Sequence, residues 1–529
     1  MVQPARSGIR RRIFVLGGLA TASASTLPGI AGATPATALR QDPFTLGVAS
    51  GDPTHDGVVL WTRLAPEPLA EDGLGGMPNR TVRVQWELAD DPRFGRVVRR
   101  GTALARPETA HSVHVELSDL RPDRELFYRF RAERYLSPTG RTRTAPDPQT
   151  LGTELRMGFV SCAQYEHGWF TAYRRLAEDH PDLILHLGDY QYEHRKGDYT
   201  IPGGNIRDHD GPETVTLANY RQRYAQYRTD PDLQAAHAAA PWLVVWDDHE
   251  VDNNWAGDVP ENAQPTFLDR RTAAFRAYYE NMPLRSTSVP QGLGMRLYRR
   301  LRWGRLANFH MLDTRQYRDD QACGDGWRSC PAAEQPDRSI LGRPQEDWLI
   351  DGFRTSEARW DLLGQQVFFA QQDRDDGPGK ITAQDAWDGY VASRRRITQG
   401  WIDAGVRNPV VLTGDVHRAW ACDLKLDYDD PTTPSVGSEL VCTSITATGD
   451  GRDTDPADQS ILHNNPHLRF YNNLRGYVMT TITPDRLDAD FRVLPTVSRP
   501  DEPIDTRASF AIEDRSPGLH QTYDRGLPD

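Results

Sequence analysis

Residues 182–194 read DLILHLGDYQYEH. Aliphatic side chains fill odd and even positions alike, broken once by His186, and the run stops at Gly188 and Asp189. Apolarity on both faces marks a strand buried on both sides, the kind found in a sheet covered by helices. The same form returns at LRMGFVSCA (155–163), WLVVWDDHE (242–250) and NPVVLTGDVH (408–417). Helical stretches are expected between these runs, at WFTAYRRLAEDH, LANYRQRYAQYR and DRRTAAFRAYYENM. A hairpin is expected at LYRRLRWGRLANFHMLDTR, turning near Trp303 and Gly304, and further strands at QVFFA, YVMTTIT and LDADFRVL. The pattern predicts a layered α/β (α+β) domain over 154–495, with its chemistry at the carboxyl ends of the strands.

Outward from this domain the chain changes character. Residues 39–145 carry short β-rich runs, VVLWTRL, TVRVQWELA, SVHVELSDL and ELFYRFRAE, spaced as in an immunoglobulin- or fibronectin-like β-sandwich. SPTGRTRTAPDPQT reads as the linker, and 496–529 as a C-terminal tail. At the other end IRRRIFVL (9–16) resembles a twin-arginine export signal at Arg11, Arg12 and Phe14, followed by a mild apolar stretch and A-x-A sites at Ala31–Ala33 and Ala36–Ala38. Residues 1–38 are therefore expected to be a signal peptide that sends a folded chain through the twin-arginine translocase, giving a secreted protein without a transmembrane segment.

Bulk properties narrow the function classes. The 529 residues exceed one ordinary core, and 38% hydrophobic with 26% charged residues describes a soluble globular chain. A formal net charge of −12 argues against a nucleic-acid-binding surface, because no basic excess is available to neutralise backbone phosphates. Of five cysteines, Cys323 with Cys330 and Cys422 with Cys442 are suspected disulfides, which leaves Cys162 unpaired.

The four strand ends deliver Cys162; Asp189 and Tyr192; Asp247, Asp248, His249 and Glu250; and Asp415 and His417. Singly, an Asp after a strand is usually a turn former or helix cap. Together they bring metal-ligating atom types to the place where an open sheet keeps its site. Thiolate, phenolate and imidazole suit a transition metal, whereas clustered oxygens such as those of Asp248, Asp252, Asn253 and Asn254 suit calcium.

FTLGVASGDPTHDGVVLWTRL, SCAQ, GDYQY, WDDHEVDNNW, LDTRQYR, WDGY and TGDVH, in this order, resemble the landmarks of the PhoD family of alkaline phosphatases and phosphodiesterases. The resemblance implies a four-layered αββα metallophosphoesterase domain and a mixed site of Fe3+ and one or two Ca2+. It implies Cys162, Tyr192 and His417 as iron ligands, Asp189 as the bridge between metals, and Asp248 and Asp415 on the calcium side. It assigns His249 to the ester, as general acid or transition-state stabiliser. The expected substrates are small phosphomonoesters and phosphodiesters, with lipid or wall-polymer phosphodiesters as extensions. The alternatives are a phospholipase D-like activity on lipid head groups and, in another class, a secreted calcium-binding adhesion module without catalysis. Arg315 and Arg418 are candidates to neutralise phosphate, with ion pairing the commoner use, and Trp387 and Tyr390 line a pocket or simply pack. Family members can cover the site with a C-terminal element, but RASFAIEDRSPGLHQTYD (507–524) carries no pattern that assigns this role.

Overall fold

The structure, a computed structural model, describes residues 38–454 and 456–526, with the side chains of 456–459 left aside. The expected export signal, including Arg11, Arg12 and Phe14, lies outside the described residues. No helix among the described residues is long and apolar enough to cross a membrane.

Two large sheets form the body. The first has ten strands, in the order Ser516–Asp524, Asp505–Glu513, Arg486–Leu494, Arg475–Ile482, Leu155–Val160, Leu183–His186, Pro241–Val244, Val48–Thr54, Gly57–Arg63 and Ser112–Leu117. The second has seven, running Arg299–Trp303, Ala307–Met311, Trp360–Gly364, Pro409–Thr413, Ser435–Val441, Ala419–Lys425 and Leu468–Asn472. The site-bearing strands are parallel at each sheet's centre, Leu155–Val160 beside Leu183–His186 beside Pro241–Val244 in one, and Trp360–Gly364 beside Pro409–Thr413 in the other. An isolated bridge from Ser161 to Ser444 joins the sheets at the ends of these strands.

The continuous apolar runs now have a cause. Leu362, Val410 and Leu412 join the core between the sheets, while their neighbours Leu363 and Val411 face Leu349, Phe353, Ile397 and Trp401 of the helices Arg343–Arg354 and Val391–Asp403. Alternate residues of one strand thus bury in opposite directions, as the period of two requires. On the far side Tyr173, Tyr224, Leu233 and Phe275 bring the helices Thr171–Glu178, Leu217–Arg228, Pro231–Ala239 and Phe267–Asn281 onto the first sheet. The result is the expected helix, sheet, sheet, helix stack.

The N-terminal β region does not stand apart. Its strands Val82–Ala89, Val97–Ala105, Glu125–Ala132, Tyr135–Leu136 and Gly140–Arg143 make a five-stranded sheet of their own. The other layer, Val48–Thr54, Gly57–Arg63 and Ser112–Leu117, continues directly into the ten-stranded sheet by parallel pairing of Ser50 with Pro241. Arg63, fully buried, donates to Gly73 O, Ala110 O, Arg221 O and Asn281 Oδ1, tying this region to two helices of the catalytic layer.

Three expectations need correction or extension. QVFFA is not a strand: the strand is WDLLG just before it, and the chain leaves the sheet at Gln365. It can do so because the buried Glu439 carboxylate accepts from Phe369 N and Ala370 N, both at 2.8 Å, so the apolar segment stays buried without a ladder. Cys422 and Cys442 are both free and buried, since register sets Cys422 opposite Glu439 rather than Cys442. The Cys323–Cys330 disulfide is present. Residues 505–524, for which the sequence suggested no structure, form a hairpin at the edge of the ten-stranded sheet.

Candidate metal centre

The strand ends meet at the bridge between the sheets. At Gly188 (φ 109°) a Cβ would lie 2.4 Å from the Cβ of Asp247, so only glycine lets the two loops approach. Cys162, Asp189, Asp415 and His417 all adopt left-handed backbone, with φ of 61°, 54°, 61° and 59°. That region is unfavourable by about 1–2 kcal/mol for residues with a Cβ, and four such conformations fall on four predicted ligands.

All the predicted ligands come together. One donor atom each from Cys162, Asp189 and His417 lies within 4.8 Å of the others, as do the sets Asp189, Asp248 and His249, and Asp247, Asp248 and Asp415. The Tyr192 hydroxyl sits 3.0 Å from Asp189 Oδ2 and 3.2 Å from His417 Nε2. Cys162 and Tyr192 are fully buried, and Asp415 and His417 half-buried. Asp189 belongs both to the set with Cys162 and His417 and to the set with Asp248 and His249.

The donor set fits metal ions. Asp189 Oδ1, Asp247 Oδ2 and Asp248 Oδ1 are buried without a hydrogen-bond partner among the described residues, a state proteins normally avoid. Burial, reinforced by neighbouring carboxylates, pushes the Cys162 thiol and the Asp189 and Asp415 carboxyls well above their usual ranges, and burial with the Asp189 charge does the same to the Tyr192 phenol. These groups ionise readily only when positive charge enters the cluster.

His249 behaves differently. Burial alone would strip its proton, but the charges of Glu193, Asp248 and Asp189 outweigh it and hold the imidazole protonated well above its usual range. Its Nδ1 bonds Glu193 Oε2 at 2.7 Å, and its ring lies 4.1 Å from that of Tyr192. Burial opposes the charge on Glu193, yet the histidines His249 and His194 draw its carboxyl down to about 2.

Several buried groups hold the predicted ligands in place. Glu250 accepts from Asp189 N (3.0 Å), Tyr190 N (2.6 Å) and Asp247 N (2.8 Å), clamping two ligand loops with one carboxylate. Arg315 is fully buried and bridges Asp247 Oδ1 (2.5 Å) and Asp385 Oδ2 (2.8 Å), so it serves ion pairing, the commoner of its two expected uses. His417 Nδ1 bonds Thr448 Oγ1 at 2.8 Å, and Arg475 donates to His417 O at 2.6 Å. Trp387 and Tyr390 pack, with Trp387 Nε1 donating to Gln365 and Tyr390 Oη to Asp319 O. Asp252, grouped with calcium-type oxygens in the sequence, instead pairs with Arg270 at 3.0 Å and accepts from Gln264. Asn254 stays beside the cluster, its N–H donating to Asp248 Oδ2 at 2.8 Å.

Fold and site together define a metal-dependent phosphoesterase. The family model "PhoD-like phosphatase" matches residues 157–491, and "PhoD-like phosphatase, N-terminal domain" matches 29–146. Alkaline phosphatase D of Bacillus subtilis (strain 168) is 49% identical over 483 residues, 90% of this chain and 82% of that protein. A solved structure of PhoD superposes with a TM-score of 0.91 at 48% identity, covering 93% of this chain and 94% of the other. The chain belongs to the PhoD-like phosphatase family, whose reaction is the hydrolysis of phosphoric esters. Neither the phospholipase D-like reading nor the non-catalytic adhesion module is favoured by these matches.

Sequence reasoning named Asp247 and Glu250 at their strand end without a role, and it passed over Glu193, His167, Asp385 and Thr448. The available signal was charge in an apolar setting: Glu193 directly follows Tyr192, and Glu250 closes DDHE.

Proposed function

We propose that this protein is an exported alkaline phosphatase that hydrolyses phosphomonoesters and phosphodiesters at a mixed iron and calcium centre. The observation that carries this reading is the convergence of a thiol, a phenol, a carboxylate and an imidazole, from Cys162, Tyr192, Asp189 and His417, beside a carboxylate set from Asp248 and Asp415. Sulfur, phenolate and imidazole are donors for ferric iron, and the carboxylates are donors for calcium, with Asp189 between them.

When bound, such a metal pair supplies Lewis acidity and an activated water for in-line attack on phosphorus. The chain's own residues do the rest. Asp189, held by Glu250, keeps the two halves of the cluster in register. Glu193 fixes Nδ1 of His249 and maintains its positive charge, which leaves Nε2 to hand a proton to the departing ester oxygen. The ring of Tyr192 holds the imidazole plane from one side. No serine or threonine nucleophile is required.

Metal analysis of the purified protein tests the assignment, together with the visible band expected when phenolate binds ferric iron. Tyr192→Phe should abolish the band and lower iron content and turnover together. A Tyr192→Phe protein that keeps its band would overturn the ligand set. Export by the twin-arginine route follows from Arg11, Arg12 and Phe14, and is tested by mapping the N-terminus of protein recovered outside the cell; twin-lysine replacement should retain the precursor inside.

A further inference from the structure

Beside the metal centre lies an aromatic side chain with no part in the reading above. Residues 195–200 are exposed except for Tyr199, which is half-buried and packs against Cys162, Tyr192 and Ala447. Its ring meets His167 edge-on at 4.5 Å and His194 edge-on at 5.6 Å, and His194 in turn lies 5.5 Å from the ring of His249. Tyr199, His194 and His249 therefore form a continuous ring-to-ring line that starts at the proton donor and ends at the surface.

The tyrosine is fixed by its main chain rather than by its side chain. Tyr199 O accepts from His167 Nε2 at 3.2 Å and from Asn205 Nδ2 at 3.0 Å. His167 Nδ1 accepts from Thr448 N at 3.0 Å, and Thr448 Oγ1 contacts His417 Nδ1. The turn is closed by Arg195 with Asp198 at 2.9 Å and by Gly197 N donating to Glu166 Oε1 at 3.1 Å. A ring held so firmly at its backbone, half-exposed and one ring removed from His249 through His194, is placed to touch what leaves.

We propose that Tyr199, with His194 beside it, is the wall that contacts the organic group of the ester as it departs past His249, and so sets the preference for aryl over small alkyl phosphates. This inference rests on the phosphoesterase reading of the cluster, beside which Tyr192 and His249 lie with rings 4.1 Å apart. An edge or face contact between two aromatic groups changes affinity about two- to tenfold.

The test compares Tyr199→Leu and Tyr199→Phe with the wild type on 4-nitrophenyl phosphate and on glycerol phosphate, with bound metal measured on each protein. Tyr199→Leu should lose about two- to tenfold in kcat/KM on the aryl ester, mainly through KM, and less than twofold on glycerol phosphate. Tyr199→Phe should keep the aryl preference, and both variants should keep their metal. Equal losses on both esters, or loss of metal with either variant, would make Tyr199 a structural plug over Cys162 and Tyr192 and overturn the proposal. Unchanged kinetics for Tyr199→Leu would overturn it too. A metal-loaded wild type inactive on both esters would instead refute the functional reading beneath it.

Discussion

Burial raises the Glu250 carboxyl to about 8, so above that pH Glu250→Gln removes one charge and no volume, and its effect isolates what the clamp does. The wild-type carboxylate takes three backbone N–H bonds, from Asp189, Tyr190 and Asp247, at 3.0, 2.6 and 2.8 Å. Bonds to a charged buried acceptor contribute about 1.5–3 kcal/mol each. Oε2 serves Asp189 and Asp247, and Oε1 serves Tyr190. In the best glutamine rotamer the carbonyl keeps Asp189 and Asp247 at about 1 kcal/mol apiece, while the amide N–H2 faces the N–H of Tyr190 and leaves it unsatisfied. The net loss is at least about 4 kcal/mol, a large share of the roughly 5–15 kcal/mol that holds a domain folded. The cost falls on the two loops carrying Asp189 and Asp248, so the variant should show a lower urea midpoint, substoichiometric metal and kcat/KM reduced at least tenfold. Addition of metal in excess should recover part of the midpoint, because binding to the folded form offsets the misplaced loops. A Glu250→Gln protein with wild-type midpoint, metal content and kcat/KM would show that the clamp does not position these loops.

Other outcomes follow from the same structure. Arg315→Met leaves Asp247 without its cation and should cost about 3–5 kcal/mol in urea denaturation, with Arg315→Lys recovering less than half because one ammonium cannot span Asp247 and Asp385. Burial lowers the His186 imidazole to about 3 and that of His467 to about 4, where the Gln371 carbonyl offsets only part of the effect. Both folded values lie below the unfolded one, so this stability is complete above about pH 6.5 and drains away as pH falls toward 4, by about 1.4 kcal/mol per pH unit for each histidine. Urea midpoints at pH 5 and 7.5 should differ accordingly, and His467→Gln should shrink the difference; an unchanged difference would refute the assignment. Alkylation of the denatured, unreduced chain should label Cys162, Cys422 and Cys442 and spare Cys323 and Cys330. Protection of Cys442 under those conditions would contradict the observed register.

What the sequence made legible follows from how strongly each signal is tied to one conformation. Runs such as DLILHLGDY and NPVVLTGDVH could be read because burial on both faces leaves their interiors apolar apart from His186, and the ends of these and like runs then located Cys162, Asp189, Asp248 and Asp415. QVFFA misled because a single distant carboxylate, Glu439, can satisfy the backbone of an apolar coil. The suspected link between Cys422 and Cys442 failed on register, which is fixed by how the two strands meet and cannot be read from either one alone. Glu193, Glu250 and Asp385 matter through partners 56 to 70 residues away, a relation that no local pattern carries. Tyr192 differs from these, because it stands inside a recognisable loop, and the proposed iron assignment turns on its phenol.

The hairpin of residues 505–524 bears on how the protein behaves as a solute. The strand Ser516–Asp524 ends the ten-stranded sheet with mostly exposed residues and carries Pro517 near its start, features that discourage a further strand from adding on. Inside it Phe510 packs between Phe470 and Phe491, at 5.6 and 5.9 Å. A chain cut after residue 495 would present Arg486–Leu494 as a bare edge, with Phe491 uncovered and a row of free N–H and C=O groups. Its first failure would be self-association rather than lost turnover, since the proposed metal ligands all lie upstream of the cut. The last two strands thus act as a colloidal stabiliser for a layer whose proposed metal ligands they do not carry.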